Sequence, residues 1–222
     1  MKVFTFYDPL PGHPNFWPLT ELWANSWRKR GWQTQVLSLA EARAHARFQE
    51  LVQAVDRRSF PSLCGIDYDK RCFARWLALA ACGGGLLTNY SVMNYGLQSP
   101  VADWTGLKYF NGTTSPMIFA DRLWSAKLAN VIVDFVQTWP RAEESQDMHC
   151  LTQYCWHGCK EATLVPGVLV EFPVRGADVW GGRAQRTDWQ TSPVVHYPRG
   201  TAGLVSGNER NWVGTLQSLR AV

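Results

Sequence analysis

The chain opens on a period-two alternation. Lys2-Val3-Phe4-Thr5-Phe6-Tyr7 is rich in β-forming residues, which predicts a first strand over 2–7. Asp8-Pro9-Leu10-Pro11-Gly12-His13-Pro14 breaks the pattern into a loop, because proline removes backbone donors and glycine frees the chain to turn. Over 19–30 the period becomes helical, with Leu19, Leu22, Trp23, Ser26 and Trp27 on one face and Gly31 as the cap at its end. Alternation returns over 33–39, around Val36 and Leu37. A strand–helix–strand opening of this kind predicts a parallel α/β sheet with a right-handed crossover.

The remaining pattern continues that alternation of elements. Residues 40–58 read as helical with a break near the middle, 61–68 as a loop, and 69–81 as an amphipathic helix stopped by Gly83-Gly84-Gly85. A short buried strand follows over 86–91. Further strands are predicted over 108–111 and 117–120, and a long helix over 123–139 that Pro140 stops. The last strands fall over 165–172 and 193–197, and 199–222 is glycine-rich and then weakly helical. With no repeat, linker or composition break, a single domain over 1–222 is expected.

Composition adjusts this picture in three places. Twelve Trp residues are more than such a chain ordinarily carries; an indole suits a core, an interface or a platform for a sugar ring or base, and a core position is the expectation for most of them. A net charge of +4 is compatible with an anionic ligand but is no polybasic footprint: Arg28-Lys29-Arg30 and Arg57-Arg58 are short clusters at helix ends. No apolar run is long enough to span a membrane. The amino-terminal segment enters its strand pattern without an apolar signal core, so a cytoplasmic location is expected. The six cysteines then read as reduced thiols. Cys150, Cys155 and Cys159, with His149 and His157, form a Cys-rich loop whose spacing matches zinc sites poorly.

The chemistry concentrates between Arg75 and Ser91. A helix bearing Arg75, a glycine break and a short apolar strand lead into Asn89-Tyr90-Ser91. On a strand end, side chains two apart point the same way, so Asn89 and Ser91 are expected to address one ligand. In open α/β sheets, ligands collect at the carboxyl ends of the strands.

This block resembles the sugar-binding region of GT-A glycosyltransferases, in which a helix arginine precedes a glycine break, a short apolar strand and an Asp-x-Asp motif. The resemblance implies a GT-A-like (Rossmann-like) α/β fold with a mixed, mainly parallel sheet flanked by helices. It also implies a glycosyltransferase that moves a sugar from a nucleoside-diphosphate donor to a hydroxyl acceptor. By position, Arg75 matches the helix arginine, Gly83 and Gly84 fall in the glycine break, and Asn89-Tyr90-Ser91 takes the Asp-x-Asp place. Phe6, Tyr7 and Asp8, where the first strand opens into its loop, correspond to groups around the nucleotide base. Asp147 resembles an acidic residue after the central helix and is the candidate for acceptor contact or general-base work. His196 resembles a late-strand histidine that serves the metal or the phosphates.

The departure from the motif concerns charge. In that family two carboxylates hold the divalent metal that bridges the donor's diphosphate, and Mg²⁺ and Mn²⁺ prefer anionic oxygens. Asn89 and Ser91 offer neutral oxygens instead. Three outcomes stay open: metal-free catalysis, with Arg75, Lys108 or Arg199 neutralising the diphosphate; a weakened Mn²⁺ or Mg²⁺ site at Asn89, Ser91 and His196, helped by Asp147; or a domain that binds carbohydrate or a partner without turnover. A further alternative, a glycosyltransferase acting on nucleic-acid bases, requires Arg28, Arg30, Arg57, Arg58 and Arg186 to cluster. Trp104 and Trp180 are candidate sugar-stacking indoles. Arg75→Ala is expected to weaken donor binding far more than it lowers stability.

Overall fold

A computed structural model describes residues 1–12, 15–57, 65–100, 102, 104–110, 116–138, 147–171 and 192–197. Along the chain lie β1 (Lys2–Phe6), α1 (Trp17–Arg28), β2 (Gln33–Leu37), α2 (Leu39–Arg43), α3 (Phe48–Arg57), α4 (Ile66–Ala81) and β3 (Gly85–Thr88). There follow β4 (Val92–Asn94), β5 (Leu107–Tyr109), β6 (Met117–Ala120), α5 (Arg122–Thr138) and α6 (Asp147–Gln153). A π-helical turn (Tyr154–Gly158) leads to β7 (Ala162–Leu164), β8 (Leu169–Glu171) and β9 (Val194–His196). Six strands form a mixed sheet in the order β2-β1-β3-β6-β5-β7, in which β6 alone runs against the other five. A second sheet orders β4-β9-β8. Among the described residues, no helix is long and apolar enough to cross a membrane.

The period-two pattern of the strands divides the core between the two faces of the larger sheet. Val3, Leu86 and Phe119 turn toward α1 and the second sheet. Phe4, Leu87 and Ile118 lie in the other cluster, with α2 to α6. The Gly83-Gly84 break works through close approach. Gly84 has φ +86°, and a Cβ there would lie 2.5 Å from the Ala120 carbonyl oxygen, so only glycine lets α4 turn into β3 against the end of β6.

Several predicted elements change at their ends. The break in 40–58 lies at 44–47: Ser38 starts α2 in a capping box with Glu41, the helix ends at Arg43 in tight turns at Ala44 and His45, and α3 restarts at Phe48. The helix expected from 69 begins at Ile66, with Asp67 and Asp69 in its first turn, where carboxylates suit the helix dipole. The strand expected over 86–91 stops at Thr88, because the Asn89 carbonyl accepts the Val92 amide in a tight turn, and the chain resumes as β4 in the other sheet. The strand expected over 165–172 starts late: after β7 ends at Leu164 the chain turns at Pro166 and Gly167 (φ 76°), and the strand is β8, from Leu169. The stretch around Cys150 and Cys155, expected as a loop, is helical.

Candidate functional site

The parallel strands β1 and β3 end side by side, and their carboxyl ends carry Tyr7-Asp8 and Asn89-Tyr90-Ser91. The helix α4 flanks this edge. Arg75 lies in its middle and is 13% exposed at its side chain. Its Nε donates to Asp147 Oδ2 at 2.7 Å, its Nη2 pairs with the same oxygen, and its Nη1 donates to Asn89 Oδ1 at 2.9 Å. A guanidinium has only donors, so the oxygen of the Asn89 amide must face it. Trp76 Nε1 supplies another donor to Asp147 Oδ2, at 2.7 Å. Burial works against the charge of Arg75, and the adjacent Asp147 carboxylate outweighs it, holding the guanidinium above its ordinary pKa.

The structure therefore joins Arg75, Asn89 and Asp147, residues far apart in sequence. It gives Asp147 a task other than base chemistry. The residue is 1% exposed, with three donors on one oxygen, whereas a general base must lie within hydrogen-bond reach of the proton it removes. Asp147 stands behind Arg75 and fixes its fork.

Asn89 and Ser91 do not act as a strand-end pair. The strand has ended at Thr88, and Ser91 is buried with its carbonyl accepting the Tyr197 amide. His196 pairs in register with Val92, next to Ser91 on the second sheet. These residues do not fit a divalent cation. Asn89 Oδ1 already faces a positive guanidinium, the Asp147 carboxylate beside it is engaged by Arg75 and Trp76, and among the described residues no group of three His, Cys, Asp or Glu is arranged to hold a metal. Arg199, Trp180, Arg58 and Arg186 lie outside the described residues.

The other expected residues divide between the two faces. Phe6 packs against the α4 side of the core. Asp8 pairs with Arg71 Nη2 at 2.8 Å and accepts the Leu39 amide, tying the loop after β1 to α2 and α4. Tyr7 turns the other way: its hydroxyl accepts the Phe16 amide, and its ring meets Phe16, Trp17 and Tyr90 edge-on. Trp104, expected as a sugar platform, packs against Trp32, Phe110 and Phe119 in the core. Arg28 ends α1 and Arg30 follows it on one face of the sheet, while Arg57 ends α3 on the other, so these three cations form no common groove.

One feature of the site went unread in the sequence. A cleft of about 240 Å³ opens where β1 and β2 end, with Leu39, Phe48, Leu51 and Val52 lining it and Lys70 and Arg71 among its polar groups. It lies at Arg71, one helical turn before Arg75, rather than at Arg75 itself. The four-residue spacing of the two arginines was the available signal, since such residues share a helix face.

The sequence matches no protein-family model, and no curated protein matches it.

Proposed function

We propose that the chain is a GT-A-type glycosyltransferase that moves a sugar from a nucleoside-diphosphate donor to a hydroxyl acceptor without a divalent metal. One observation carries the reading: a largely buried arginine, anchored from behind by Asp147 and Trp76, points its guanidinium at the carboxyl end of a central strand. Such a fork matches the oxygens of a diphosphate, and its anchoring removes the reorganisation that a free side chain would need.

In this reading the base enters the apolar cleft beside Leu39 and Phe48. The diphosphate passes along α4 to Arg75, beyond Arg71, whose guanidinium is held by Asp8, and the sugar lies at Asn89. The glycosidic C–O bond breaks with oxocarbenium character, and the diphosphate departs with the electron pair into the field of Arg75. The acceptor oxygen attacks the anomeric carbon, and its proton leaves to the diphosphate or to solvent. Asp147 is a positioning residue. A module that binds without turnover is the second reading, favoured by the way Asp147 already neutralises Arg75.

Calorimetric titration with a panel of nucleoside-diphosphate sugars, with Mn²⁺ and with EDTA, tests both the site and its metal independence. Binding of at least one donor with equal affinity in the two buffers is expected. Binding that requires Mn²⁺ removes the metal-free mechanism, and silence toward every donor removes the transferase. Donor binding without sugar release in the presence of acceptors leaves the module.

A further inference from the structure

Trp17 is out of place for its chemistry. Among the described residues the exposed large hydrophobic side chains are Trp17, Ile66, Leu123 and Leu164, and Trp17, 45% exposed, is the aromatic one. It is nevertheless ordered. Its amide donates to Asn15 Oδ1 at 3.0 Å, and the Tyr7 ring meets its indole edge-on at 5.2 Å. Phe16 stacks with Tyr90 at 5.5 Å between ring centroids, and Tyr90 follows Asn89 directly. A chain of ring contacts, Tyr90 to Phe16 and Tyr7 and Tyr7 to Trp17, thus leads from the residue after Asn89 to an indole at the rim, on the α1 side of the sheet. The apolar cleft lies on the opposite, α4 side.

We infer that Trp17, backed by Tyr7, Phe16 and Tyr90, is the platform on which a pyranose ring of a carbohydrate acceptor stacks. The inference rests on the transferase reading for the identity of the neighbouring site. A pyranose presents an apolar C–H face with hydroxyls at its edge. An exposed indole bordered by the exposed Asn15 side chain, which Tyr7 holds from behind, matches both parts. A lipid chain would use the aromatic surface and leave the polar border idle. With the donor held from the α4 side, a sugar on Trp17 approaches Asn89 from the α1 side.

Saturation-transfer NMR and calorimetry on the full chain, with cellotetraose, chitotetraose and maltotetraose as probes, test this assignment. At least one probe binds, and Trp17→Ala weakens it by about tenfold or more, the scale of losing a central aromatic contact. Trp17→Phe retains most of the affinity, and nucleotide-sugar affinity is unchanged in both variants, whose folding is checked by circular dichroism. Binding of none of the three probes overturns the platform. So does a Trp17→Ala variant that loses nucleotide-sugar affinity, because the indole would then be stacking on the base. If a probe binds through Trp17 while no nucleotide sugar binds, the platform stands and the transferase reading falls alone.

Discussion

Arg75 and Asp147 form a largely buried ion pair, and such a pair contributes little net stability while being costly to break. Removing one partner leaves the other charge in a poorly solvated place, at about 3–5 kcal/mol. Arg75→Gln is therefore expected to lower stability by roughly that amount as well as donor affinity, and Asp147→Asn to behave similarly. The double variant should regain much of the stability and none of the binding. Urea unfolding midpoints and donor titrations of all three variants check this; additive stability losses would mean that the pair is not coupled. The sequence suggested instead that an arginine on an amphipathic helix could be lost cheaply. Its anchor lies 72 residues away, and no local pattern marks such a contact. The arginine was legible because its helix, glycine break and strand are contiguous; its carboxylate was legible only as an isolated acid.

Among elements, the best-read segments were those in which periodicity and punctuation agree. The strand β6 appears over the predicted residues, and Pro140 lies just beyond the end of α5. The runs over 86–91 and 165–172 each join a short strand to a turn, so their composition alone reads as one longer strand. The segment from α6 into the π-helical turn was missed because its cysteines suggested a loop, yet cysteine packs as a small hydrophobe. Burial there has a thermodynamic consequence. It pushes the Cys155 thiol up to about 12, with Cys159 adding to the effect, and burial likewise raises the Cys150 thiol and takes the Tyr154 hydroxyl to about 12. An unfolded thiol ionises near 9.0. Above that pH the unfolded chain releases protons that the folded chain keeps, so stability is fully present below about pH 9 and falls as pH rises toward 12. Urea midpoints should decline over this window, and Cys155→Val should flatten the decline. An equal slope in the variant would assign the alkaline loss to other groups.

For the whole molecule, the two faces of the sheet carry different work: α2 to α6 pack on one, while α1 and the second sheet pack on the other. The abundance of indoles pointed to a core, and most of those described are there; what the sequence hid was the use of their N–H groups. Trp23 Nε1 donates to Thr88 Oγ1, Trp27 Nε1 to the Val92 carbonyl, Arg30 Nη2 to the Tyr95 carbonyl and Trp32 Nε1 to the Leu97 carbonyl, each across 65 positions of sequence. These donors fix from behind the stretch that carries Asn89 and Tyr90. Trp27→Phe keeps most of the apolar volume but leaves a buried carbonyl without this donor, at about 1–3 kcal/mol. Hydrogen exchange should then quicken in 88–97 before it does in β1 and β2, and unchanged exchange in 88–97 would deny α1 this role.

The constant offset also determines where the gene can tolerate a length change. One residue inserted between Trp23 and Trp27 would rotate everything beyond it by about 100° around α1 and carry three of the four donors off their acceptors together. The same insertion in the turn between α2 and α3 would alter the count from 65 to 66 and leave every donor opposite its acceptor. The spacing is a fact of three dimensions, and drift in sequence length should accumulate in the turns of that interval, not within α1, α4 or the acceptor stretch 88–97.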